Sequence, residues 1–152
     1  MEVVVFVGLQ ASGKSTFYRA RFAETHALVS KDLFPNARHK SARQAREIKA
    51  ALEAGRDVVV DNTNASRAER GEILEVAKAF NARVIAYVFE SDFEACMARN
   101  AAREGRARVP DIGMMATAKK LTTPTMDEGF HELWRVSGPL DARVVTRSDD
   151  EV

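Results

Sequence analysis

A chain of 152 residues, 45% hydrophobic and 30% charged, is long enough for one domain with its own core and too evenly mixed for a disordered or membrane-embedded polypeptide. With a net charge of +1 the protein as a whole is not a polycation, and its single cysteine, Cys96, excludes an internal disulfide framework or a cysteine-cluster metal site. The first apolar run, Val3 to Leu9, is too short to cross a bilayer and lacks the flanks of a signal peptide, so a cytoplasmic chain with no membrane partner is expected.

Val3 to Val7 is a short apolar run bounded by Gly8 and predicts a central strand. The next residues, GLQASGKST (8–16), fit G-x-x-x-x-G-K-[ST], with that strand before them and a helical pattern over 14–24 after them. The glycines let the backbone curl so that its N–H groups surround an anion, and the helix adds its positive N-terminal end. Gly8, Gln10, Ala11, Ser12 and Gly13 are therefore expected to cradle the phosphates of ATP. Lys14 is expected to reach the β- and γ-phosphates, and the Ser15 hydroxyl to take a Mg²⁺ coordination site. Thr16 is expected beside them among the ATP-binding residues, or simply to support the first helical turn.

HALVS (26–30) predicts a second strand, with Asp32 just beyond it. Phosphoryl transfer to an alcohol needs a group that accepts the hydroxyl proton and points the oxygen in line, and an Asp beside the cradle can do this. Alone, an Asp in a loop is a turn former; its weight comes from the cradle on the same chain. RHKSARQAREIK (38–49) then carries five Lys or Arg and one Glu. Two readings are open, a solvated helix face and a groove that neutralises the phosphates of a strand. The helix itself is predicted over 40–54, with Ile48, Ala51 and Leu52 on one face and Gly55 as its stop.

Val58 to Val60 predicts a third, fully buried strand, and it ends on an ionisable group, Asp61. In proteins with this cradle an acid at the end of a neighbouring strand orients the magnesium, directly or through water. The plainer reading is an Asp that caps the turn from Asn62 to Asn64. Residues 66–80 predict a helix capped by Ser66, 82–90 a fourth strand, and 91–102 a helix in which Cys96 packs in the core. Arg99 and Arg103 share a face at the end of that helix, with Arg106 and Arg108 in the basic loop 103–110. They suit a clamp on the triphosphate, or simply the negative end of a helix dipole. Another helix follows, then a last short strand at HELWRV (131–136), in which Trp134 reads as core. Residues 139–152 read as a tail with an acidic end, SDDEV. Strands alternating with helices give an α/β fold whose parallel sheet is covered on both faces, with ligands beyond the carboxyl ends of the strands.

GLQASGKST, VSKD, GRDVVVDNTNASRAER, RNAAR and TPTMDEGF occur in the order and spacing of the 5′-hydroxyl polynucleotide kinase domain, which the chain resembles over roughly residues 2–137. The resemblance implies an adenylate-kinase-like P-loop kinase fold over residues 1–138, with a five-stranded parallel sheet flanked by helices and an arginine-containing lid. It implies transfer of the ATP γ-phosphate, with Mg²⁺, to the 5′-OH end of DNA or RNA. Lys14 and Ser15 match the cradle lysine and the magnesium hydroxyl, Asp32 the general base, and Arg103 a lid arginine, with Arg99 and Arg106 beside it. Asp61 lies in the segment that faces acceptor and metal, and Asn62 and Asn64 in the part that holds the acceptor end. The family often has an arginine three residues after the base, where this chain has Pro35, so Arg38 takes that role or the acceptor is gripped differently. Relatives often carry a phosphatase, phosphohydrolase or ligase domain, for which 152 residues leave no room. A stand-alone kinase and a module of a larger enzyme both fit, and so does a kinase of a small alcohol such as a nucleoside or sugar.

Overall fold

The computed structural model describes residues 1–148, so the last acidic residues lie outside the described part. Six strands form one sheet: β1 (Glu2–Val7), β2 (His26–Val29), β3 (Asp57–Asp61), β4 (Arg83–Phe89), β5 (Glu132–Ser137) and β6 (Val144–Arg147). Their order across the sheet is β2-β3-β1-β4-β5-β6. The first five strands are parallel, as expected, and β6 adds an antiparallel edge against β5. That sixth strand lies in the stretch expected to be a tail. Its apolar content is too slight for the sequence pattern to announce it, and its place comes from pairing with β5 across a tight turn.

The helices are α1 (Lys14–Arg21), α2 (Lys40–Glu53), α3 (Arg67–Ala79), α4 (Phe93–Ala101) and α5 (Asp111–Lys120). β1 needs an unbroken apolar run because both of its faces are covered. Val3, Val5 and Val7 meet Ile48 and Leu52 of α2 and Ile73 and Ala77 of α3. Val4 and Phe6 point the other way, onto Phe17 of α1 and Phe89. Val3, Val4, Val5 and Phe6 are fully buried, and each such side chain contributes about 1.5–3 kcal/mol relative to exposure. Ser66 caps α3 as predicted, accepting from the Glu69 N–H at 3.2 Å. α4 starts two residues later than the pattern suggests, because Asp92 rather than Ser91 is the cap, accepting from the Ala95 N–H at 3.2 Å.

Two polar side chains set the connections around the sheet ends. Arg70 is fully buried and pairs with Glu128 at 2.8 Å. It also donates to the carbonyls of Asn64, Ala65 and Thr122. One guanidinium thus ties the turn after β3 to the loop before β5, so the Arg and the Glu of the ASRAER and PTMDEGF segments meet as a structural staple. Asn100, also fully buried, donates to Val109 O and accepts from Val109 N, closing the arginine loop 102–108 at its base.

Candidate active site

The cradle rises directly from β1. The Gly8 N–H donates to Thr63 O at 3.0 Å, which ties the start of the loop to the turn after β3. A Cβ on Gly8 would sit 2.9 Å from Phe89 Cβ and 3.0 Å from Ser12 Oγ, so only glycine fits there. Leu9 anchors the next step in a small cluster with Cys96 of α4 and Met114 of α5. Ala11 turns at φ 62 and Gly13 at φ 93, which reverses the chain into α1. Gln10 reaches sideways, its amide donating to Thr117 Oγ1 of α5 at 2.9 Å. Two oxygens of this loop, Gln10 Oε1 and Ser12 Oγ, are buried with no partner among the described residues.

Lys14 lies in the mouth of the loop, buried, with Nζ donating to Gly8 O at 2.9 Å and Leu9 O at 2.6 Å. Burial lowers its pKa to about 8, although the nearby Asp61 carboxylate pulls it back up. Asp61 ends β3 beside β1, opposite Phe6 in the register. Burial raises its pKa in turn, while Lys14 and the Ser15 hydroxyl draw it down. Ser15 Oγ donates to Asp61 Oδ2 at 3.0 Å. A serine oxygen and a carboxylate side by side are hard donors too few to enclose a cation alone. Together with phosphate oxygens and waters they suit Mg²⁺. Among the described residues no cluster of three or more His, Cys, Asp or Glu offers an all-protein metal site. Thr16 is exposed on the first turn of α1 and accepts from Arg19 at 3.4 Å.

Asp32 sits in a single turn of 3₁₀ helix, Lys31–Leu33, that Ser30 caps by accepting from the Asp32 N–H. It is exposed, and its charge is felt at both Lys14 and Asp61. Asn62 fixes this turn: its Oδ1 accepts from the Lys31 N–H at 2.9 Å and its Nδ2 donates to Gln44 Oε1 of α2 at 2.6 Å. Expected as an acceptor contact, Asn62 is instead the bracket that holds the acid's turn and α2 to the end of β3. Asn64 corrects the expectation more strongly. It is buried, at φ 45, and donates its amide to Phe6 O and Val60 O between two strand ends, so it faces no acceptor.

The arginines divide by depth. Arg99, expected to clamp the triphosphate, donates its Nε to Ala11 O at 2.7 Å, on the outside of the cradle. Arg103 is exposed, bonded to Ala107 O at 3.4 Å, and its charge lowers the pKa of Lys14. Arg106 is exposed in the turn Gly105–Ala107, and Arg38 is exposed before α2. Arg143, which no sequence pattern marks, donates to Ser12 O and to Gly138 O. Only the β5–β6 turn brings it to the loop. Arg99 and Arg143 also line a cavity of about 510 Å³ at the β4 and β5 ends.

A family model described as an AAA domain, AAA_33, matches residues 3–124. The chain belongs to this family. The AAA_33 chain is 28% identical over 136 residues to a bifunctional polynucleotide phosphatase/kinase of Schizosaccharomyces pombe, a match covering 85% of this chain and 32% of that protein. It thus spans about a third of the length of that relative. Its fold is similar to that of a fungal RNA kinase, with a TM-score of 0.69 and 15% identity over 90% of this chain and 38% of the other. It is similar as well to a sugar kinase of Janibacter sp. HTCC2649, with a TM-score of 0.67 and 18% identity over 93% and 88% of the two chains. The AAA_33 chain has the P-loop kinase fold, and its relatives are kinases. Its site joins a phosphate cradle to two acids, Asp61 and Asp32, which follow β3 and β2 on one side of the cradle and whose charges both act on Lys14, an arrangement suited to phosphoryl transfer.

Proposed function

We propose that this chain transfers the γ-phosphate of ATP to the 5′-hydroxyl end of a DNA or RNA strand. One observation carries the reading: the order of features along the carboxyl edge of the sheet. The acid Asp32 follows edge strand β2, the cradle follows β1 near the middle, and the cavity lined by Arg99 and Arg143 lies at the β4 and β5 ends. An acceptor hydroxyl at Asp32, the transferring phosphoryl over Lys14 and a nucleoside in the cavity would follow one another in that order, with acceptor and nucleotide on opposite sides of the phosphoryl, which suits in-line displacement.

In this arrangement Asp32 accepts the proton of the hydroxyl and aims its oxygen. Lys14 exchanges its two carbonyl partners for the β- and γ-phosphate oxygens, and the orphaned Ser12 hydroxyl gains an acceptor. Arg103, in the loop closed by Asn100, adds positive charge where the phosphoryl passes. Ser15 would hold Mg²⁺, with Asp61 oriented on it directly or through water. The ion supplies charge neutralisation on the phosphate oxygens.

The case for a polynucleotide over a small alcohol rests on what surrounds Asp32. Lys31 Nζ donates to Ser41 Oγ at 3.1 Å, and Arg43 stacks over the Phe34 ring at 4.9 Å. With Arg38 and Lys40, which lie between them in the sequence, Lys31 and Arg43 make a basic collar of the stretch after the acid, most of it exposed, although Arg43 also pairs with Glu47 at 3.4 Å. A nucleoside or sugar carries no charge to meet it, whereas the phosphates that follow a 5′ end do. The similarity to a sugar kinase keeps the small-alcohol reading as the alternative. Labelled ATP offered with 5′-OH oligonucleotides, nucleosides and hexoses in parallel separates the two: the oligonucleotide is expected to be the preferred acceptor, and preference for a nucleoside or sugar overturns the reading. A cytoplasmic setting goes with this proposal. So does a phosphatase, phosphohydrolase or ligase partner that prepares or seals the same ends.

A further inference from the structure

The turn between β5 and β6 folds back over the outside of the phosphate cradle. Arg143 closes that turn by donating Nη1 to Gly138 O at 3.1 Å, and its Nη2 donates to Ser12 O. The fit is close, since a Cβ on Gly13 would meet Arg143 Nη2 at 2.5 Å and Leu140 Cδ2 at 2.6 Å. One residue earlier in the loop, Ala11 O accepts from Arg99 of α4. Two successive carbonyls of the cradle are therefore each capped from outside by a guanidinium. Burial and the neighbouring Arg99 lower the pKa of Arg143, an unfavourable placement that a surface arginine would avoid.

A carbonyl that accepts from a cation polarises its whole peptide unit, and the N–H of the same unit becomes a stronger donor. The unit capped by Arg143 ends in the Gly13 N–H, which has no acceptor among the described residues. A guanidinium behind the loop also holds the plane of this peptide while Gly13 sits at φ 93. We infer that Arg143 is a positioning residue for the polyphosphate, acting through the Ser12–Gly13 peptide it caps rather than on the phosphates. The β5–β6 turn is then a working part of the nucleotide site.

The test compares Arg143→Gln, which removes the charge, with Arg143→Lys, which keeps it but replaces the planar two-armed guanidinium with a single ammonium of shorter reach. ADP affinity by calorimetry, the Gly13 amide resonance in the unliganded chain, and the unfolding temperature are measured for each. Arg143→Gln is expected to bind ADP roughly tenfold more weakly and to shift the Gly13 resonance, with its unfolding temperature little changed. Arg143→Lys should fall between it and the native chain in both. Native ADP affinity with an unmoved Gly13 resonance in Arg143→Gln overturns the inference. If Arg143→Gln does not fold, an Arg143→Lys chain matching the native one in both measurements overturns it equally.

Discussion

Lys14 makes the nucleotide site measurably sensitive to pH. Burial brings its pKa down from 10.5 to about 8 in the unliganded chain. With that value nearly every molecule carries the ammonium at pH 7, and only about one in ten does at pH 9. A bound polyphosphate gives Lys14 an anionic partner and raises its pKa, so the complex holds a proton that the free chain has lost. Affinity for ADP must then fall as pH rises through 8, and by pH 9 should be about tenfold weaker than at pH 7. Calorimetric titration in two buffers of different ionisation enthalpy should show proton uptake growing above pH 8, and Lys14→Met should lose both affinity and uptake. The same shift has a stability side. Between pH 8 and 10.5 the unfolded chain binds a proton that the folded chain has released, so stability gains with pH in that window. Below it, the buried charge costs the fold about 3 kcal/mol. Lys14→Met should therefore be the more stable protein at pH 7, with the gap closing as pH climbs from 8 to 10.5. An ADP affinity flat from pH 7 to 9.5, with no proton uptake, would refute the reasoning.

Three further outcomes are expected. Asp32→Asn should leave ADP affinity within a few-fold while slowing transfer by about a hundredfold or more; equal loss of binding and transfer in rapid-quench assays would make Asp32 structural. Converting Lys31, Lys40 and Arg43 to Ala should flatten the slope of log oligonucleotide affinity against log salt by about 0.7 for each phosphate that is no longer neutralised. ADP affinity should not change, and an unchanged slope in anisotropy titrations would return the collar to a solvated face. Glu128→Gln leaves the fully buried Arg70 without its anion and should cost about 3–5 kcal/mol in urea unfolding, whereas a loss under 1 kcal/mol would mean that the carbonyls alone satisfy Arg70.

The parts of the site that lie in one continuous stretch are legible in the sequence. GLQASGKST works through backbone curl, a glycine hinge and a helix start, all within a few residues, and Asp61 is marked by an apolar strand ending on an acid. Asn62 and Asn64 are less legible because a run of amides after a strand suits an acceptor contact as well as internal bracing. Only the position of Phe6, Val60 and Gln44 in space decides between them. Arg99 is visible as a charge at the end of a helix but not in its role, since a periodic pattern shows which helix face a guanidinium is on and not which carbonyl it reaches. Arg143 and Arg70 act across 131 and 58 residues of sequence to Ser12 and Glu128. Contacts that long depend on sheet order, which no local pattern encodes. For the same reason β6, with four residues and one partner strand, leaves no clear sequence signal.

Where the phosphate goes decides the function. The direct measurement incubates the chain with γ-labelled ATP, Mg²⁺ and one oligonucleotide in two forms, with a free 5′-OH and with a 5′-phosphate, and locates the label by mass spectrometry. Label on the 5′ end of the free form alone is the predicted result. Label on neither oligonucleotide, while a nucleoside or sugar in the same buffer becomes phosphorylated, would contradict it.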